Sequence, residues 1–151
     1  MSQLYYYTCE LQHRGAPVKP REKPTLYNPQ NRESRVVLAK AVSRLFENWK
    51  LSAADRLALL GLSETNRSAL ARYEHGEPLA ASRDLLDRAG HLLGIHKSLK
   101  LLYPQNPELV RSWMTSRNKK FSEATPTEVA RRFGLPGLVM VRGTLDAMRG
   151  R

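Results

Sequence analysis

The chain has 151 residues, 41% hydrophobic and 7% aromatic, with 25 Lys and Arg against 14 Asp and Glu for a formal net charge of +11. That length suits one domain, or one with an appended arm and tail, and the charge makes a polyanion the default partner, although a ribosome-like or merely basic protein has the same balance. Cys9, alone in the sequence, excludes an intrachain disulfide and a cysteine-only metal site; no secretory signal opens the chain, no apolar run reaches the roughly 20 residues of a membrane span, and the cytoplasm is the expected location.

Residues 1–33 read as an irregular arm. Pro17, Pro20, Pro24 and Pro29 alternate with Arg14, Lys19, Arg21, Lys23 and Arg32, and prolines at this density remove N–H donors and resist helix. Tyr5, Tyr6 and Tyr7 suit a short strand or a subunit contact; a leader with no role is the plainer reading.

A first helix is expected from about Ser34 to Trp49, with Leu38, Ala41, Val42, Leu45 and Trp49 on one stripe. Ser52 caps a second helix that ends at Gly61. Ser63 is the N-cap candidate of a third, from about Glu64 to Glu74, closed by Gly76 and Pro78. Ser82 caps a fourth, burying Leu85, Leu86, Ala89, Leu92 and Leu93; Gly94 is expected to break it before a short helix through Leu99 and Leu102 that stops at Pro104. Residues 34–104 thus form a compact all-helical unit.

Residues 105–151 have a different character. Pro107 suits a first helical position ahead of Val110 and Trp113, and a polar, basic loop, Thr115–Lys120, leads to Phe121. Thr125-Pro126 opens a helix with Val129 and Phe133 inward that ends at Gly134. The last helix, about Gly137 to Arg149, carries Leu138, Val141, Leu145 and Met148 at heptad-like spacing. Gly143 within it costs about 1 kcal/mol relative to Ala and permits close backbone approach.

Helix, glycine turn, capped helix over Leu57–Leu79 is the plan of a helix-turn-helix, whose second helix enters the DNA major groove. On a helical wheel Leu62, Ala69, Leu70 and Tyr73 share one side; Glu64, Arg67, Ser68, Ala71 and Arg72 share the other, with Thr65 and Asn66 near the leading end. Arg donates bidentately to guanine, Asn does so to adenine, and hydroxyls suit phosphates, so Thr65, Asn66, Arg67, Ser68 and Arg72 are the DNA-contact candidates. Gly61 to Gly76 exceeds the span in many compact helix-turn-helix domains by about one turn. Proteins of this type read paired half-sites, so a homodimer on double-stranded operator DNA is expected.

The segment ALARYEHGEPL (Ala69–Leu79) resembles the end of a recognition helix in Xre-type regulators. The order of helix-turn-helix, LLDRAGHLLGIHKSLKLLYPQNPELVRSWM, a polar loop and ATPTEVARRFGLPGLVMVRGTLDAMRGR resembles, over residues 34–151, the Xre/ParS antitoxins that accompany RES-domain toxins. The long recognition segment and the basic loop from Arg117 to Glu123 depart from the family's usual pattern. The resemblance implies an all-α protein in which a small helical toxin-binding domain follows the helix-turn-helix domain. It also implies an antitoxin of a type II toxin–antitoxin system, which silences an NAD⁺-consuming RES toxin and represses its own operon. By the same resemblance, the Trp113–Phe121 region, with Trp113, Lys119, Lys120 and Phe121, and the end of the chain from Leu135, with Leu145 and Met148, contact the toxin. A line of leucines also suits helix-in-groove docking, although for Leu138 and Val141 the protein's own core is the preferred partner. Arg142, Arg149 and Arg151 form a cationic end able to enter a cleft shaped for the diphosphate of NAD⁺.

Catalysis is not expected. His13, His75, His91 and His96 are scattered, and no HExxH, GxSxG or phosphate-cradling glycine loop occurs, so neither a metal nor a cofactor is called for. The alternative function is a stand-alone helix-turn-helix transcriptional regulator needing only residues 34–104, with the remainder free to dimerise or sense a ligand.

Overall fold

A computed structural model describes residues 31–150; the Tyr-rich and Pro-rich arm before Asn31, with Cys9 and His13, and Arg151 at the other end lie outside the described residues. The described chain is all helical: α1 (Arg32–Asn48), α2 (Ala53–Leu59), α3 (Arg67–Glu74), α4 (Arg83–Leu102), α5 (Pro107–Ser112), α6 (Pro126–Phe133) and α7 (Leu135–Arg149), with single 3-10 turns at Trp113–Thr115 and Lys119–Phe121.

Side-chain caps fix most starts. Asn31 accepts from the Glu33 amide at 2.9 Å, which begins α1 two residues before the expected Ser34. Ser52, Ser82 and Asn106 cap α2, α4 and α5, and Pro107 takes the first turn of α5. Thr125 and Glu128 form a reciprocal capping box on α6. The buried stripe of α1 is Ala39, Val42, Leu45 and Phe46, continued by Trp49. Leu38 and Ala41 are only half-buried, because α3 and α4 both pack against α1 and shift its inner face.

Two departures from the expected elements share one cause, tertiary contact overriding local propensity. Gly94 does not break α4, which runs unbroken for 20 residues. A mid-helix glycine costs about 1 kcal/mol, but here its bare Cα seats Arg142 of α7: a Cβ would lie 2.7 Å from the guanidinium carbon. The third helix, in contrast, is shorter than expected. Ser63 does not cap it; its Oγ accepts weakly from the Thr65 amide at 3.4 Å, and residues 64–65 form a turn. The surplus length between Gly61 and Gly76 is therefore turn, and α3 has only eight residues.

The ends of α1, α2 and α3 close alike. The amides of Leu51, Leu62 and Glu77 each reach back five residues, to the carbonyls of Phe46, Leu57 and Arg72. The left-handed position this closure needs is Gly61 after α2 and Gly76 after α3, but Lys50 after α1. At the far end, Gly134 (φ 65°) turns α6 sharply into α7. Gly137 lets the two helices touch there: a Cβ would sit 2.5 Å from the Val129 carbonyl oxygen.

All seven helices contribute to one continuous core. Leu138 and Val141 of α7 are in the core as expected, and Leu145 joins them, buried chiefly against α4 and α6, whereas Phe133, expected inward on α6, is 49% exposed. No described helix is long and apolar enough to cross a membrane.

Candidate functional site

The first candidate surface is α3. Ala69, Leu70 and Tyr73 are buried against α1 and α2, which turns Arg67, Ser68, Ala71 and Arg72 to solvent. Thr65, exposed in the preceding turn, and Asn66, at the N-cap, adjoin them, so all five DNA-contact candidates share one region of the surface. Asn66 makes no side-chain capping bond, which leaves the first amides of α3 open to an anion. Arg67 forms no ion pair among the described residues; Arg72 has only a long 3.9 Å approach to Glu77, both half exposed.

Arg56 of α2 sets the pitch of this helix. Its Nε donates to the Leu51 carbonyl at 2.9 Å and its Nη1 pairs with Glu74 at 3.0 Å, tying the end of α3 to α2. Lys40 of α1 runs beside Gly76, where a Cβ would meet its Cε at 3.1 Å. This places an exposed ammonium next to α3. The His75 ring, at the C-terminal end of α3, donates from Nδ1 to the Ala71 carbonyl at 2.6 Å, because a carbonyl can only accept.

The second candidate surface is a groove of about 520 Å³ between the Lys119–Phe121 turn, α6 and α7, a volume in the range of ligand pockets. Phe121, Val129, Phe133 and Met140 supply its apolar wall, and Lys120 and Arg132 its basic lip. The Arg132 guanidinium lies 5.3 Å from the centroid of the Phe133 ring. Ser122 and Glu123, beside the groove, both hold left-handed backbone (φ 54° and 66°) without being glycine, a strained pair at its edge.

Of the residues expected to meet a toxin, Lys120 and Phe121 line this groove, and Lys119 precedes them in the same 3-10 turn. The others do not. Trp113 is 6% exposed and packs edge-on against Phe121, with ring centroids 6.3 Å apart. Leu145 is 0% exposed, and Met148 is half-buried against the core. Neither Trp113 nor Leu145 offers a surface to a partner. Arg142 and Arg149 flank Asp146 at 3.9 and 3.6 Å, and Arg149 also reaches the buried Ser98 hydroxyl at 3.3 Å, so both serve the α4–α7 seam. Among the described residues, a Cβ on Gly143 would meet no neighbour within 4 Å, so the close approach it permits is not used by them.

Sequence periodicity missed Phe133, Met140 and Arg132. The signal was present in the run Leu138-Val139-Met140-Val141: four apolar residues in a row must face every side of a helix, and only two of them lie on the buried stripe. Among the described residues no cluster of His, Cys, Asp or Glu could hold a metal.

A helix-turn-helix with its reading helix outward, joined through one long helix to a second helical unit bearing an open groove, defines a DNA-binding protein with an appended interaction domain. Residues 32–94 match the family model for the antitoxin Xre-like helix-turn-helix domain, and residues 98–151 match that for the antitoxin Xre/MbcA/ParS C-terminal toxin-binding domain. The chain belongs to the Xre/ParS-type antitoxins. It is similar to the uncharacterized protein y4oB of Sinorhizobium fredii (strain NBRC 101917 / NGR234), 31% identical over 112 residues, which is 74% of this chain and 83% of that protein. Both matches end or begin within α4, which belongs to both domains.

Proposed function

We propose that this chain neutralises a RES-type, NAD⁺-consuming toxin through its C-terminal domain and, as the complex, represses its own operon through α3. The observation that carries the DNA half is the solvent-facing row Arg67, Ser68, Ala71 and Arg72 on a helix anchored only from its other side. Arg67 and Arg72 suit guanine edges, Ala71 the methyl group of thymine, and Ser68 and Thr65 the flanking phosphates. Lys40 adds a phosphate contact from α1. The resemblance to RES-associated antitoxins supports the choice of toxin, and two chains on paired half-sites match the way such domains read DNA.

Co-purification with the protein encoded beside it, followed by a footprint on the shared upstream region, tests both halves. Arg67→Ala should weaken operator binding by about 1–3 kcal/mol and relax the preference at one base pair. Lys40→Ala should weaken all sequences alike and lower the salt slope by about one. Unchanged affinity and sequence preference in Arg67→Ala would remove α3 from the reading role.

A further inference from the structure

Three of the five large hydrophobic side chains most exposed in the described chain, Phe133, Val139 and Met140, stand at the α6–α7 corner; the other two, Val37 and Leu101, are on α1 and at the end of α4. Exposed apolar groups gathered beside a groove mark an interaction site, whereas the same groups scattered need no explanation. The charges around them are also sorted. Arg131 is committed to Asp55, and Arg142 and Arg149 to Asp146. By contrast, Lys120 and Arg132, which line the groove, have no carboxylate within 4 Å among the described residues. The one carboxylate lining the groove, Glu128, is occupied, since its Oε2 accepts from the Thr125 amide at 2.8 Å in the capping box.

We propose that this groove seats an apolar anchor of the toxin, carried on a segment flanked by Asp or Glu. The inference rests on the antitoxin reading and specifies where and by what chemistry the toxin docks. An apolar wall with an unpaired cationic lip selects a partner of that pattern: the anchor displaces water from Phe121, Phe133 and Met140 while carboxylates meet Lys120 and Arg132. A second copy of this chain is a poor occupant, because it would bring the same unpaired lip and a formal charge of +11 against its like. Arg132, whose guanidinium carbon lies 5.3 Å from the Phe133 ring centroid, carries the planar fork of donors that suits a bidentate carboxylate contact.

The test uses the full chain and the purified product of the neighbouring toxin gene, in a catalytically silenced form. Phe133→Asp and Met140→Asp place a carboxylate at half-exposed positions outside the core, and Arg132→Glu reverses the lip. Leu101→Asp makes an equivalent change on a remote exposed side chain. Toxin affinity should fall at least tenfold in the three groove variants, hold in Leu101→Asp, and weaken with salt in the wild type, with melting temperatures and operator binding retained throughout. Wild-type affinity in both Phe133→Asp and Met140→Asp would overturn the proposal, as would a groove variant that keeps the toxin but turns a dimer into a monomer. A folded wild-type chain that ignores the toxin defeats the antitoxin reading itself, an outcome distinguishable from failure of the groove alone.

Discussion

Two half-buried histidines, His91 and His96, give this protein's stability a pH dependence. His96, beside Trp49 with ring centroids 6.1 Å apart, has its pKa lowered from 6.5 by burial and then by Lys100; its Nδ1 and the Trp49 indole nitrogen have no hydrogen-bond partner among the described residues. His91 is lowered by burial and by Arg142, with Asp87 opposing. A folded-state pKa below the ordinary imidazole value means that the unfolded chain binds more protons between the two values. The associated stability is complete above about pH 6.5 and is lost as pH falls through the folded-state values. The melting temperature should therefore drop between pH 7.5 and 5.5, and His96→Gln should flatten that dependence; an equal slope in the variant would assign it to other groups. Nothing in the sequence distinguished His96 from His75, because burial of an imidazole depends on which helix crosses it.

The helices themselves were legible where local chemistry decides them, and illegible where contacts from distant helices do. Ser52, Ser82, Thr125 and Pro107 act as expected because a cap depends on neighbours three residues away. Gly94 misled because Arg142, 48 positions later in the chain, fills the space above it, and Phe133 because α7 turns off at Gly134 before covering it. The outward face of α3 was legible because it follows from three apolar positions, 69, 70 and 73; the start of the helix was not, since Ser63 and Asn66 both have N-cap chemistry. Glycines within α7 give a matched test of this division. Gly137→Ala drives a Cβ into the backbone of α6 and should destabilise by about 1–3 kcal/mol. Gly143→Ala meets nothing and should stabilise by up to about 1 kcal/mol. Chemical denaturation of the two variants would show opposite signs; the same sign in both would contradict the packing of the α6–α7 corner.

As a whole molecule, the protein joins its two functions through one core. α4 packs on α1 and on α7, and α2 packs on α6. Arg88 fills the angle between the turns of both domains: a Cβ on Gly61 would lie 2.7 Å from its Nε, and one on Gly134 would lie 3.5 Å from its Nη2. The Arg131–Asp55 pair at 3.0 Å crosses the same junction, but it is partly exposed and contributes no more than about 1 kcal/mol. Buried apolar surface, including Leu92, Ile95 and Leu99 of α4, holds the junction. Heat or denaturant should therefore unfold residues 31–150 in a single transition, seen at one midpoint by far-ultraviolet circular dichroism and by tryptophan fluorescence from Trp49 and Trp113. Two separated midpoints would mean independent domains.

The most direct measurement of the central claim is the NAD⁺ content of cells that express the proposed RES-type toxin partner, with and without this chain. The account predicts that NAD⁺ collapses with the toxin alone and is restored when the wild-type chain is co-expressed. NAD⁺ that stays depleted while the chain accumulates in folded form would contradict it.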